Sequence, residues 1–533
     1  MKNKSTFLFH DYETYGKDAM KDRPSQYAAI RTDENLNIIG EDTEYYCFPQ
    51  IDTIPSPIAC LITGITPNNI IERSRDPVLR NTVFNEYEFF KKINAQFSEP
   101  NTCVLGFNTL EFDDEVTRHG LYRNMFSPYE REWKNGCSRW DMINVVRAFA
   151  YLFPDDIKVP VLNGKPVFKL EYLGAENNLD ITRAHDAVSD VYTTIALAKL
   201  IKEKQPQFWN YAFSNKGKKQ VMQIVEKHNN EMLFACSSYF GYESKYIQPV
   251  FFVKQDANDN NNFIMLKLDD LDNIKKLLSM DAENVQEALY APLAEGEKRI
   301  PIHMTKINQC PILFSAEGLE ANGVITKEDF IKNTPKYKEY LDNFNFVQEN
   351  QNEIFNLITK AFASRKGFKD TVDPDIGLYS EFIPPSDNSK METFHHHIRD
   401  GQMLQYLFKR DFFTDNRLNQ LSKRIIMRNF MKEMKKEITP ENEANVKKVI
   451  SHWFTHCYNR WHHGYSIKND ENERSVTYNL KEFYEEVEEA KTKADTPEKQ
   501  KILADVVDYV EKLNLFFENR LGIQQASPKS PKP

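Results

Sequence analysis

Residues 7–13, Phe-Leu-Phe-His-Asp-Tyr-Glu, constrain this chain more than any other stretch. An apolar run of strand length ends in two carboxylates one residue apart. Side chains alternate across a strand, so Asp11 and Glu13 share a face while Tyr12 points to the other, where packing is expected. Like charges on one face repel unless a cation lies between them. Hard oxygen ligands favour magnesium or manganese over zinc. An Asp-x-Glu pair by itself is more often the solvated end of an ordinary strand. A metal site requires further carboxylates from elsewhere in the chain.

The next two hundred residues alternate strand and helix patterns, as in an α/β layer structure. Residues 26–32 and 44–48 read as strands, Pro67 as the opening of a helix, and residues 84–97 as a helix with apolar positions at helical spacing. Residues 102–108 read as another buried strand, leading into Asp113-Asp114-Glu115. A third carboxylate is expected there, although acids at a helix start equally serve as caps or dipole partners. The last piece is Arg183-Ala184-His185-Asp186-Ala187-Val188-Ser189-Asp190, followed by a helix with an apolar stripe. Asp190 falls on the early turns of that helix, with His185 just ahead of it.

The ordered set Asp11-x-Glu13, Asn108-x3-Phe112-Asp113 and His185-x4-Asp190 resembles the three motifs of the DEDDh 3′→5′ exonucleases. Flanking words are similar to the bacterial exodeoxyribonuclease I family: Leu61-Ile62-Thr63-Gly64-Ile65-Thr66-Pro67, Phe112-Asp113-Asp114-Glu115-Val116-Thr117-Arg118 and Ser138-Arg139-Trp140-Asp141. The resemblance is dense over the first two hundred residues and traceable to about residue 520. It implies a ribonuclease H-like exonuclease domain, a mixed sheet flanked by helices, followed by an SH3-like β-rich domain and a helical C-terminal domain. The expected divisions are 1–203, 204–352 and 353–520, with 521–533 a disordered tail.

The implied activity is hydrolysis of single-stranded DNA from its 3′ end, releasing 5′-mononucleotides in DNA repair or recombination. Phosphodiester hydrolysis needs a nucleophile at neutral pH and neutralisation of the charge that builds on the leaving oxygen, which two divalent ions roughly 4 Å apart can supply. By resemblance the ions are Mg2+, with Mn2+ able to substitute. Asp11, Glu13 and Asp190 hold the first, Asp11 bridges, and Asp113 acts on the second. His185 fits the general base, since imidazole titrates near working pH. Lys169 stands where the family has a substrate-contacting Arg, offering a point charge in place of a bidentate fork; a solvated strand Lys is the plain alternative. Glu13, Thr14 and the region of Asn108 are expected near the terminal nucleotide. A 3′→5′ exoribonuclease and a non-catalytic strand-binding protein are the competing readings.

Beyond residue 204 the texture turns β-rich, with strand candidates to about residue 313, and from about residue 355 it is helical. Tyr239, Phe240 and Tyr242 are read as core, with base stacking as the alternative. Arg424, Arg428, Lys432 and Lys436 recur every fourth residue and form a basic stripe, read as a path for the DNA backbone against the alternative of a solvated face. The histidine-rich segments around 395–397 and 452–463 lack the partners of a zinc site. The family's partner, the acidic tail of single-stranded-DNA-binding protein, is expected here too. Glu320, however, stands where a pocket Arg is sought, which leaves its contacts unassigned.

A net charge of −9 excludes a uniformly basic nucleic-acid coat but not local basic paths. Seven scattered cysteines without a Cys-x-x-Cys pair argue against a disulfide framework and a zinc ribbon. No apolar run reaches membrane-spanning length and the N-terminus does not read as a signal peptide. A cytoplasmic, monomeric protein without membrane association is expected.

Overall fold

The computed structural model describes residues 5–179, 187–228, 231–293, 297–363, 371–409, 411–468, 473–476 and 478–523. Residues 7–13 lie within strand β1 (Thr6–Thr14), near the centre of a six-stranded mixed sheet. The other strands are β2 (Pro24–Thr32), β3 (Thr43–Cys47), β4 (Val83–Phe84), β5 (Thr102–Gly106) and β6 (Ser138–Asp141), in the order β4-β3-β2-β1-β5-β6. β1 runs antiparallel to β2 and parallel to β5. Four helices flank the sheet: α1 (Glu86–Phe97), α2 (Asp113–Arg123), α3 (Met142–Leu152) and α4 (Ala187–Lys204). Phe84, expected to begin a helix, joins Val83 in a short strand paired with β3 instead; α1 starts at Glu86, where the Asn85 side chain accepts the amide of Glu88.

The alternation of β1 sorts its side chains as the sequence predicts. Phe7 and Phe9 join Ala28, Ile30, Leu105 and the α4 residues Val191 and Ile195 on one face. Leu8 and Tyr12 pack on the other with Phe89, Phe90 and Ile93 of α1 and Val116 of α2. Asp11 and Glu13 therefore emerge on the face that α4 covers.

A second sheet is antiparallel throughout: β7 (Leu233–Cys236), β8 (Ile247–Gln255), β9 (Asn262–Lys267), β10 (Ile302–Lys306) and β11 (Leu313–Phe314), in the order β10-β9-β8-β7-β11. Helix α5 (Gln351–Phe362) lies against it, burying Ile354, Ile358, Ala361 and Phe362. The expected division at 352/353 thus falls at the first turn of a helix whose apolar side belongs with this sheet. Of the three aromatics read as core, Tyr239 is 86% exposed, while Phe240 packs on His303.

The last third is mainly helical: α6 (Asn388–Arg399), α7 (Asn416–Asn429), α8 (Glu443–His463), α9 (Leu480–Lys493) and α10 (Pro497–Leu521). Pro497 sits at the first position of α10 behind a Thr496 cap, as its sequence suggests. A small three-stranded sheet that the sequence reading lacked joins β12 (Thr371–Val372), β13 (Tyr465–Lys468) and β14 (Glu473–Val476). These helices share one core with the N-terminal layer: Tyr15, Ile54, Cys60, Tyr87 and Tyr122 pack in the same cluster as Phe394, Ile425, Trp461 and Val506. His395 of α6 takes part in this union. Its ring bonds to Tyr87 Oη at 2.8 Å and to the Met125 carbonyl at 2.9 Å, and it stacks on Phe126.

The expected basic stripe is corrected by the structure. Its helix stops at Asn429, and two of its four cations turn inward. Arg428 is buried and bonds to Asp52 and Asp375, while Arg424 pairs with Asp373 and Asp375. Arg460 joins them on the same carboxylates. A guanidinium taken out of water requires such partners, and Arg424 and Arg428 both find them within the fold. Lys432 and Lys436, beyond the break, are exposed.

Candidate active site

Three carboxylates converge at the end of β1. Asp11, Glu13 and Asp190 each place one oxygen so that all three lie within 4.8 Å of one another. No other group of three metal-ligating side chains approaches this closely among the described residues. The strand period puts Asp11 and Glu13 side by side, and the first turn of α4, packed across β1, brings Asp190 over them.

Asp113 opens α2 beside this trio. The pairing of β1 with β5 ends at Phe9, and beyond it the amide of Tyr12 donates to Asp113 Oδ1 at 3.0 Å. Gly106 makes that approach possible. A Cβ there would stand 2.5 Å from the His10 carbonyl oxygen, so only glycine lets the chain leave β5 this close to β1. The connection to Asp113 then passes through Asn108, whose φ of 64° suits asparagine.

Asp141, at the end of β6, holds this connection. Its carboxylate accepts the amides of Asn108 at 2.9 Å, Leu110 at 3.0 Å and Ile143 at 2.9 Å. Burial raises its pKa to about 6 against the pull of these bonds. Sequence reasoning assigned Asp141 no role, although an Asp directly before an apolar helical run carries the signature of a cap. Its neighbour Asp114 faces away from the acids, paired with buried Arg131 and Arg139, which hold its carboxyl well below the usual range.

The electrostatics of the cluster are those of a cation site. Burial pushes the Asp11 carboxyl well above its ordinary pKa, and the charges of Asp113 and Asp190 add to the shift. Asp113 is raised as well, by burial first, with Asp114 and Asp141 contributing and the Tyr12 amide opposing. Like charges this close and this buried are tolerated when a divalent ion offsets them. An all-oxygen set from two strand residues and two helix starts suits a hard ion.

The remaining expected residues are placed as follows. Thr14 is buried, and its hydroxyl donates to the Gly16 carbonyl within the turn that follows β1. Lys169 is exposed, immediately before the helix Leu170–Glu176. His185 lies outside the described residues.

Three family models match in order: Exonuclease over residues 8–198, Exonuclease I SH3-like domain over 216–364, and Exonuclease I C-terminal domain over 372–513. Exodeoxyribonuclease I of Escherichia coli K12 is 35% identical over 397 residues, which are 73% of this chain and 79% of that protein. The chain belongs to the exodeoxyribonuclease I family. As a member it is a hydrolytic exonuclease, with a ribonuclease H-like domain, an SH3-like domain and a C-terminal domain in that order. The exodeoxyribonuclease I of Buchnera aphidicola subsp. Schizaphis graminum is 35% identical over 459 residues, covering 86% of this chain and 90% of its own. Among solved structures, E. coli exonuclease I in complex with a dA16 oligonucleotide superposes with a TM-score of 0.80 at 31% identity, covering 96% of this chain and all of that one. A moderately thermophilic exonuclease I from Methylocaldum szegediense gives 0.79 at 30% identity, with the same coverage. The E. coli enzyme is also known in a zinc-bound complex with single-stranded DNA.

Proposed function

We propose that this exonuclease removes 5′-mononucleotides stepwise from the 3′ end of single-stranded DNA, in the service of DNA repair. The observation that carries the reading is the convergence of Asp11, Glu13 and Asp190 within 4.8 Å, with Asp113 alongside. Two Mg2+ ions, replaceable by Mn2+, would be held by Asp11, Glu13, Asp113 and Asp190. Bound there, they supply an activated water and a counter-charge for the leaving 3′-oxygen.

The chain's own residues do the rest. The Tyr12 amide and the Asp141-braced connection fix where Asp113 points. His185, five residues before Asp190 in the sequence, is the base that takes the proton from the attacking water. Glu13, Thr14, Asn108 and Lys169 border the terminal nucleotide, with Lys169 supplying positive charge for a phosphate. Lys432 and Lys436, exposed on the C-terminal part, are the remaining cations of the expected strand path. Complexes of E. coli exonuclease I with single-stranded DNA and with a dA16 oligonucleotide support the choice of substrate.

The enzyme is proposed to be monomeric and cytoplasmic; separately, its seven cysteines are free and no described helix is long and apolar enough to cross a membrane. The acidic tail of single-stranded-DNA-binding protein is the proposed protein partner. For the domain division we propose that the second unit extends through α5, to Phe362.

Matched DNA and RNA oligonucleotides, labelled at either end and digested with Mg2+ or with EDTA, test the reading. A 3′ label should appear at once as mononucleotide and a 5′ label should pass down a ladder, on DNA and only with metal. Faster digestion of RNA, or loss of the 5′ label first, would contradict it.

A further inference from the structure

One short loop of the C-terminal part reaches both flanks of the acid cluster. Residues 373–379, Asp-Pro-Asp-Ile-Gly-Leu-Tyr, run as a single irregular turn whose two aspartates are anchored by arginines. Asp375 is fully buried and lies within ion-pair distance of Arg424, Arg428 and Arg460, all from the helices of its own domain. The far end of the loop is fixed by Arg417, which donates to the Gly377 carbonyl at 2.6 Å and to Ser380 Oγ at 2.9 Å. A segment bonded at both ends by buried or half-buried guanidiniums has little freedom to move.

From this anchored position the loop reaches the N-terminal layer at both of its ends. Asp375 Oδ2 accepts from Arg23 Nη2 at 3.3 Å. Arg23 directly precedes β2, and its carbonyl accepts the amide of Tyr15 at 2.9 Å, so it closes the turn that follows Glu13 and Thr14. At the other end, Tyr379 Oη donates to Glu115 Oε2 at 2.6 Å and accepts from Arg118 Nη1 at 3.3 Å. Glu115 and Arg118 lie on α2, the helix that Asp113 opens. The body of the loop lies against α2 as well: a Cβ at Gly377 would come 3.2 Å from Tyr122 Oη.

We propose that residues 373–379 are a strut by which the C-terminal domain positions the catalytic carboxylates, Asp375 steadying the exit of β1 through Arg23 and Tyr379 steadying α2 through Glu115. None of these residues touches the reacting atoms; they are positioning residues. The proposal rests on the metal site inferred above. Its consequence is that divalent-ion affinity depends on a domain that contributes no ligand.

Tyr379→Phe tests this with little risk to folding, because the side chain is 57% exposed and only its hydroxyl is removed. Mn2+ binding to the full-length protein is read from the electron paramagnetic resonance of free Mn2+, beside kcat and KM on a single-stranded oligonucleotide. The variant should bind Mn2+ about 3- to 10-fold more weakly, at or below the low end of what outer supports of a metal site contribute. Its kcat should fall at limiting metal and recover at saturating metal, with KM for the oligonucleotide unchanged. Asp375→Asn should show the same shift together with a lower melting temperature. Wild-type Mn2+ affinity in Tyr379→Phe overturns the strut, and so does a rise in KM alone, which would make the loop a substrate contact. A wild-type protein that binds no Mn2+ overturns the metal site itself.

Discussion

Asp11 and Asp113 hold their protons more tightly in the folded chain than their ordinary value of 3.8 allows, because burial and neighbouring carboxylates penalise the charged form. Between that value and the raised one, the folded state carries more protons than the unfolded state, so stability without metal falls as pH rises. A bound cation reverses the penalty by favouring the ionised acids. The gain in melting temperature on adding Mg2+ in place of EDTA should therefore grow as pH rises above the ordinary carboxylate value of 3.8. Calorimetry at matched ionic strength would measure it, and a gain independent of pH would contradict the coupling. Asp141 does not share in this gain, since its oxygens are engaged by backbone amides. These differences bear on what could be read beforehand. Asp11 and Glu13 were legible because a strand has period two, and Asp113 and Asp190 because each stands at a helix start after a core strand or a marked histidine. The bracing role of Asp141 was not, because a cap signature says which helix is capped and not which distant amides the same carboxylate also holds.

Among the elements, α7 shows where periodicity misleads. Arg424 and Arg428 recur at helical spacing, and a basic face was read as pointing to solvent or to a strand. Spacing reports which residues share a face, but what covers the face depends on partners far away: Arg428 meets Asp52 and Asp375. Arg428→Met should lower stability by about 3 kcal/mol, the low end of the cost of breaking a buried ion pair, because Arg460 still serves Asp52 and Asp375. Urea unfolding would check it. A variant of wild-type stability whose oligonucleotide affinity has lost salt dependence would restore the strand-path reading. The β1–β5 crossing makes a separate demand. Gly106→Ala places a methyl group against the His10 carbonyl and should cost about 1–3 kcal/mol, as overpacking does in tight interiors. Melting curves that match the wild type would mean that the strands part without penalty.

For the whole molecule, the order of three units was legible from motif order and from the change in texture near residues 204 and 353. The joints were not. α5 faces the second sheet because Ile354, Ile358 and Phe362 are buried there, and the helical part shares a core and a cluster of buried ion pairs with the N-terminal layer. Such long-range unions have no local signature. They matter for function because the acids come from segments nearly 180 residues apart in sequence, held in register only by the folded whole. The most direct test is anomalous diffraction at the manganese edge from crystals grown with Mn2+ and a non-hydrolysable oligonucleotide. Peaks should appear between Asp11, Glu13 and Asp190 and beside Asp113, next to the 3′-terminal phosphate. Manganese elsewhere on the surface, with none among these carboxylates, would contradict the proposed site.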